Sequence, residues 1–75
     1  MIDKIINILQ NVCDIDKKIQ KDTELIDSSI LDSYALIQFI YELEKLGIEL
    51  QLTQISKENL RYPYLIASYI ENKIY

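Results

Sequence analysis

The chain has 75 residues, of which 49% are hydrophobic, and its formal net charge at pH 7 is −4. This length allows one small core and no second domain, so we expect a single domain over residues 1–75. With one glycine, one proline and no low-complexity segment, the composition favours a small helical fold over an all-β or disordered one.

The single cysteine, Cys13, cannot form an internal disulfide, which fits a reducing compartment. The N-terminal sequence MIDKIINILQ mixes charged with apolar residues, so it predicts neither a secretory signal nor a membrane span. We therefore expect a cytoplasmic protein in which Cys13 is a small core residue rather than a reactive thiol.

The negative charge is concentrated in the middle of the sequence. Between Lys21 and Lys45 there is no basic residue, and the acidic residues there are Asp22, Glu24, Asp27, Asp32, Glu42 and Glu44. A local acidic field attracts basic protein surfaces and repels phosphate backbones, which argues against nucleic acid as a partner. A solvated loop without any partner would explain the charge equally well.

The first half of the chain predicts two helices joined by a long loop. Apolar residues at helical spacing predict the first helix over residues 2–13. Residues 14–31 predict an ordered loop, held to the core by Ile15, Ile19, Leu25, Ile26, Ile30 and Leu31. The second helix takes Asp32 or Ser33 as its N-cap and ends at Gly47. Its predicted buried face consists of Leu36, Phe39, Ile40, Leu43 and Leu46.

The second half predicts a connector and two further helices. Ile48, Leu50 and Leu52 alternate with polar residues, and since one strand has no partner, we expect an extended connector packed on one face. A short helical turn is expected within residues 53–60, and Pro63 predicts the start of a last helix. The buried face of that helix consists of Ile66, Tyr69, Ile70 and Ile74. The predicted fold is an all-α bundle of three long helices and one short one.

Intrinsic catalysis is not expected from this composition. Without histidine, Ser33 lacks the usual base and cannot belong to a self-contained hydrolase triad. Asp14, Asp16 and Asp22 match three positions of a calcium loop, but the required glycine and final glutamate are missing. One glycine and one cysteine are also too few for a phosphate-binding loop or a structural zinc site.

The second helix has a second apolar stripe, formed by Tyr34, Ile37 and Tyr41. A helix that is apolar on two sides is either fully buried or presents one side to a partner. For Ile37, packing under the long loop is an equally good interpretation. The tyrosines suit an interface better, because each hydroxyl needs water or a partner group.

The segment LDSYALIQFIYELEKLGIEL, residues 31–50, resembles the second helix and attachment site of acyl carrier proteins, with Asp32 and Ser33 in the place of that family's Asp-Ser. The predicted order of helices and loop is also the order in that family. The resemblance implies that a phosphopantetheinyl transferase attaches the 4′-phosphopantetheine arm of coenzyme A to Ser33. It also implies that Asp32 helps the transferase position its metal ion and substrate, and that the protein is a carrier rather than an enzyme.

Within the family, ILDS and GIEL, followed by ISKENLRYP at residues 55–63, resemble D-alanyl carrier proteins, although Arg61 and Tyr62 replace their usual Asn-Thr. This implies an aminoacyl cargo held as a thioester, an adenylating loading enzyme and a downstream acceptor enzyme. We expect a monomer, because a carrier that visits many enzymes works most simply as one. The expected partner-binding residues are Tyr34, Ile37, Tyr41, Glu42 and Glu44. Two alternatives stay open: a fatty-acid or polyketide acyl carrier protein, and a non-carrier acidic module that binds a protein through the same stripe.

Overall fold

The computed structural model describes residues 1–51 and 54–74, with side chains up to residue 72. Its helices are α1 (Ile2–Val12), α2 (Ser33–Lys45), α3 (Lys57–Leu60) and α4 (Pro63–Ile74). No strand occurs within these described ranges. Helix α1 packs against α2 and α4, and α3 packs against α4. The predicted all-α bundle of three long helices and one short helix is confirmed.

One hydrophobic core joins all four helices and both long connectors. Its buried apolar residues are Ile5, Leu9, Ile19, Leu25, Leu31, Ala35, Phe39, Leu43, Ile48, Leu50, Ile55, Leu60, Ile66, Ala67 and Ile70. Burial of a large apolar side chain contributes about 1.5–3 kcal/mol. Since isolated helices of this length are only marginally stable in water, all four helices depend on this packing more than on their intrinsic helix propensity.

The long loop between α1 and α2 is ordered, as predicted. Ile19, Leu25 and Leu31 are buried, and the other three predicted loop contacts, Ile15, Ile26 and Ile30, pack partly buried against the core. The side chain of Gln10 also ties the loop to α1, because its Oε1 accepts a hydrogen bond of 2.7 Å from the backbone N–H of Ile19.

Helix α2 starts after the predicted cap Asp32, and Gly47 closes its C-terminal end as predicted, but the burial predicted for Leu46 is wrong. Phe39 and Leu43 are buried, and Leu36 and Ile40 are partly buried. Leu46 is 53% exposed, because it lies at the C-cap, beyond the last residue of α2, where the helical spacing no longer holds. The turn uses Gly47, whose φ of 80° lies in the left-handed region that favours glycine.

The second half of the chain also follows the prediction. Residues 48–51 form neither helix nor strand, and they alternate between buried (Ile48, Leu50) and exposed (Glu49, Gln51), as expected for a connector packed on one face. Helix α3 lies within the range expected for a short helix. Pro63 is the first residue of α4, in which Ile66 and Ile70 are buried and Tyr69 is partly buried. The burial predicted for Leu52 and Ile74 lies outside the described residues. None of the described helices combines the length and apolar character needed to cross a bilayer.

Candidate functional site

Ser33 is exposed and is the first residue of α2. Asp32 precedes it as the N-cap, with an extended backbone, and its Oδ1 accepts a hydrogen bond of 2.9 Å from the backbone N–H of Ala35. Both Asp32 and Ser33 are open to solvent, whereas Ala35 is buried. The serine hydroxyl is therefore accessible at the start of a helix whose position is fixed by the core.

This position suits a phosphodiester group on the Ser33 hydroxyl. The N-terminal end of a helix carries a partial positive charge, which favours an attached anionic group. Solvent exposure of Ser33 leaves room for a long arm to extend away from the protein. Among the described residues, no group of three or more His, Cys, Asp or Glu side chains is arranged to hold a metal ion.

The segment that leads to Ser33 forms a closed turn. The carboxylate of Glu24 accepts hydrogen bonds from the backbone N–H groups of three residues that follow it, Ile26 (3.1 Å), Asp27 (2.8 Å) and Ser28 (2.8 Å). The N–H of Leu31 then donates to the carbonyl oxygen of Leu25 at 2.9 Å, which closes the turn two residues before Ser33. Ser29 has a φ of 63°, so the turn passes through the left-handed region.

Arg61, which directly follows α3, holds this turn from the opposite side. Its Nη1 lies 3.0 Å from Oε2 of Glu24 and 2.7 Å from Oδ2 of Asp27, and its Nη2 lies 2.9 Å from Oε1 of Glu58. The carbonyl oxygen of Arg61 accepts a hydrogen bond of 2.7 Å from the N–H of Leu25. We call Arg61 with Glu24, Asp27 and Glu58 the Arg61 clamp.

The contacts of the clamp shift the pKa values of Glu24, Glu58 and Arg61 in the directions that favour their charged forms. Partial burial opposes ionisation of Glu24, but the three backbone hydrogen bonds and the charge of Arg61 outweigh it and lower the pKa of Glu24 below its ordinary value. Hydrogen bonding to Arg61 and its positive charge lower the pKa of Glu58. Hydrogen bonds to Glu58 and Asp27 raise the pKa of Arg61. Glu24, Glu58 and Arg61 are therefore charged at neutral pH.

The sequence did not predict the clamp, since Glu24 and Asp27 lie 37 and 34 positions from Arg61 along the chain. One available signal was that Arg61 is the sole arginine of a chain whose central acidic segment contains no basic residue. The acidic segment is consequently less negative than its composition suggests. Two of its carboxylates face Arg61, and Glu42 forms a 3.4 Å ion pair with Lys45.

The predicted second stripe of α2 faces solvent. Tyr34, Ile37 and Tyr41 are 71%, 60% and 56% exposed, so the interpretation that Ile37 packs under the loop is wrong. The Nζ of Lys45 lies 4.7 Å from the centre of the Tyr41 ring, within the range of a cation–π contact. Tyr34, Ile37 and Tyr41 are the large exposed apolar residues of α2, and Leu46 at its C-cap is a fourth exposed apolar residue nearby in the sequence.

Cys13, at the C-cap of α1, is half-buried against the core. Burial, and secondarily the negative charge of Asp32, raise the pKa of its thiol to about 11. The thiol is therefore protonated at neutral pH, in agreement with the predicted small core residue rather than a reactive group.

The exposed serine at the start of the second helix, after a long ordered loop, is the arrangement that the resemblance to acyl carrier proteins predicts. The chain is similar to proteins named D-alanyl carrier protein from Bacillus cereus and Bacillus anthracis. Each is 28% identical over 71 residues, which cover 92% of this chain and 90% of the relative. No family model and no solved structure gives a significant match. The resemblance to carrier proteins is confirmed by these relatives, and their name describes a carrier rather than an enzyme.

Proposed function

We propose that this chain is a carrier protein that holds an aminoacyl group of the D-alanyl kind on a phosphopantetheine arm attached to Ser33. The observation that supports this best is the exposed Ser33 hydroxyl at the start of a capped helix, in a chain similar to D-alanyl carrier proteins over most of its length. The attached arm supplies a thiol on which the cargo is held as a thioester. Because coenzyme A provides the arm, we place the modification in the cytoplasm.

In this proposal the residues around Ser33 have separate roles. Ser33 presents the hydroxyl that a phosphopantetheinyl transferase esterifies, and the N-terminus of α2 stabilises the negative charge of the resulting phosphodiester. Asp32 fixes the start of the helix through its bond to Ala35 and is free, at its exposed carboxylate, to assist the transferase with its metal ion and substrate.

We assign partner binding to the exposed stripe of Tyr34, Ile37 and Tyr41, flanked by Glu42 and Glu44. An amphipathic helix that presents such apolar residues can bind in a hydrophobic groove of a partner. Since Glu42 is paired with Lys45, apolar contacts contribute more to binding than charge does. The partners are the transferase, an adenylating loading enzyme and an aminoacyl acceptor enzyme, each visited by a monomeric carrier.

The modification is tested by incubating the protein with coenzyme A, magnesium and a broad-specificity phosphopantetheinyl transferase, and then measuring the intact mass. We expect a gain of one phosphopantetheine group, which Ser33→Ala abolishes. Ser68→Ala is the matched control, because Ser68 is an exposed serine on α4. An unmodified wild type with several transferases would contradict the carrier function and favour the non-carrier interaction module.

The cargo is tested on the modified protein. It is offered D-alanine with a D-alanine-adenylating enzyme and, separately, fatty acids with an acyl-activating enzyme, and hydroxylamine-sensitive mass gains are recorded. We expect loading with D-alanine. Loading with fatty acids alone would instead identify a fatty-acid or polyketide acyl carrier.

The partner-binding stripe is tested with two substitutions that each introduce a negative charge, one in the stripe and one at the C-cap of α2. Ile37→Glu and Leu46→Glu place the same charge on residues that are 60% and 53% exposed, so neither disturbs the core. We expect Ile37→Glu to lower kcat/KM of the loading enzyme about tenfold or more, and Leu46→Glu to change it less than about twofold. Equal effects of the two substitutions would contradict the assignment of the stripe.

A further inference from the structure

The Arg61 clamp joins the end of α3 to the turn that precedes Ser33. Arg61 is 22% exposed at its side chain, and Glu24 is 26% exposed, whereas Asp27 and Glu58 are 78% and 75% exposed. The contact between Arg61 and Glu24 is thus the most sheltered ion pair of the clamp. Glu24 also accepts hydrogen bonds from the backbone of the residues that follow it. The guanidinium is thus linked to the turn through two carboxylates, the sheltered one of Glu24 and the exposed one of Asp27.

Backbone hydrogen bonds continue this link toward Ser33. The carbonyl oxygen of Arg61 accepts from the N–H of Leu25 at 2.7 Å, and the carbonyl oxygen of Leu25 accepts from the N–H of Leu31 at 2.9 Å. Leu25 and Leu31 are both buried, so their bonds are shielded from water. Asp32 and Ser33 follow directly, and the start of α2 is connected to Arg61 through these contacts.

We propose that Arg61 is a positioning residue for Ser33, holding residues 24–31 in the one conformation that the phosphopantetheinyl transferase recognises. This inference depends on the proposed function of Ser33. Without the clamp, the turn populates further conformations. The apparent affinity for the transferase then falls in proportion to the fraction of molecules whose turn still has the recognised conformation. The reacting hydroxyl itself is unchanged, so KM rises while kcat stays near its original value.

The clamp contains its own matched control. Glu24 and Glu58 both bind Arg61, but Glu24 belongs to the turn, whereas Glu58 lies in α3 only three positions from Arg61. Glu24→Gln and Glu58→Gln remove the same charge and one ion pair each. Positioning of Ser33 requires Glu24→Gln to raise KM and Glu58→Gln to leave it nearly unchanged.

The experiment measures transferase KM and kcat for the wild type, Arg61→Gln, Arg61→Lys, the two glutamate variants and Lys57→Gln. We expect Arg61→Gln to raise KM about five- to tenfold with kcat within about twofold of the wild type. Arg61→Lys should raise KM less than Arg61→Gln does, because lysine keeps the positive charge but lacks the planar guanidinium that binds two carboxylates at once. Lys57→Gln removes an exposed positive charge from the same short helix and should behave as wild type.

Amide hydrogen exchange of the unmodified protein provides a readout independent of the transferase. The amides of Leu25 and Leu31 should exchange about tenfold faster in Arg61→Gln than in Lys57→Gln, while amides in the centre of α1 stay unchanged. If Arg61→Gln does not fold, Asp27→Asn and Glu24→Gln, which leave Arg61 in place, provide the same comparison with Glu58→Gln.

The outcomes separate this inference from the proposed function. A wild type that accepts phosphopantetheine, together with unchanged KM and exchange in Arg61→Gln, would overturn the positioning role alone. Equal rises in KM for Glu24→Gln and Glu58→Gln would overturn it too, since charge rather than the turn would then set recognition. A wild type that no transferase modifies would overturn both.

Discussion

Oδ1 of Asp32 accepts a 2.9 Å hydrogen bond from the backbone N–H of Ala35, so the residue beside Ser33 caps the helix that Ser33 begins. In the proposed function, the same carboxylate also assists the transferase. These two roles can be separated, because asparagine caps a helix about as well as aspartate but carries no charge.

We predict that Asp32→Asn changes the free energy of unfolding by less than about 0.5 kcal/mol and slows modification of Ser33 at least about tenfold. Asp32→Ala should also destabilise the protein, by about 1 kcal/mol, because the cap is lost. Urea denaturation and the time course of the mass gain measure the two effects. Modification of Asp32→Asn at the wild-type rate would restrict this residue to helix capping.

Stability should fall in acid because of the Arg61 clamp. The pKa values of Glu24 and Glu58 are lower in the folded protein than their ordinary value of 4.5, so the unfolded chain binds more protons as the pH falls through this range. The stabilisation by ionised Glu24 and Glu58 is thus complete well above pH 4.5. It is lost as the pH falls toward the lowered pKa values of these two groups in the folded protein. Urea midpoints should drop below about pH 5, and drop less in Arg61→Gln. An equal loss of stability in acid for the wild type and Arg61→Gln would contradict the assignment of this pH dependence to the Arg61 clamp.

Cys13 should react slowly with thiol reagents in the folded protein. A rise of its pKa from 9.0 to about 11 reduces the thiolate fraction at pH 8 about a hundredfold. In protein that carries the proposed arm on Ser33, iodoacetamide should therefore alkylate the thiol of the arm well before Cys13, and urea should abolish this difference. Mass spectrometry of digested samples distinguishes the two thiols, with Cys13→Ser as the control that leaves only the arm.

Leu43 and Leu46 should differ strongly in their contribution to stability, although helical periodicity treats them alike. Leu43 is 0% exposed and Leu46 is 53% exposed. Leu43→Ala should cost about 2–5 kcal/mol through lost burial and the remaining cavity, which is enough to unfold much of so small a domain. Leu46→Ala should cost less than about 0.5 kcal/mol. Circular dichroism during urea titration compares them, and similar losses would contradict the observed positions.

The sequence predicted the helices well because their signals are local. The capping residue Asp32, Gly47 at a position with positive φ, and Pro63 at the start of α4 mark boundaries without reference to the rest of the chain. Leu46 was misassigned because periodicity does not show at which residue the helix ends. The contacts of Arg61 were missed for a related reason: two of its partners come from a distant loop, and only the folded chain brings them together.

The stripe on α2 shows the same difference between local signals, which the sequence contains, and surroundings that only the folded chain defines. Spacing alone placed Tyr34, Ile37 and Tyr41 on one side of the helix, but it left the surroundings of Ile37 undecided. Exposure depends on which elements cover the helix, and that is a property of the packed bundle. The location of Ser33 could be predicted because it depends on one helix start, whereas the support of the preceding turn could not.

The loop before α2 also determines which pieces of this protein can be recombined with another carrier. Ile19, Leu25 and Leu31 belong to the same buried core as Phe39, so the loop is a structural part of the core and not merely a connection between two helices. In a chimera that receives only α2 from another carrier, the foreign helix would pack against loop side chains that suit a different helix. The smallest exchangeable unit therefore extends from the loop through Arg61, and carriers with altered partner preference are best built by transferring that whole unit.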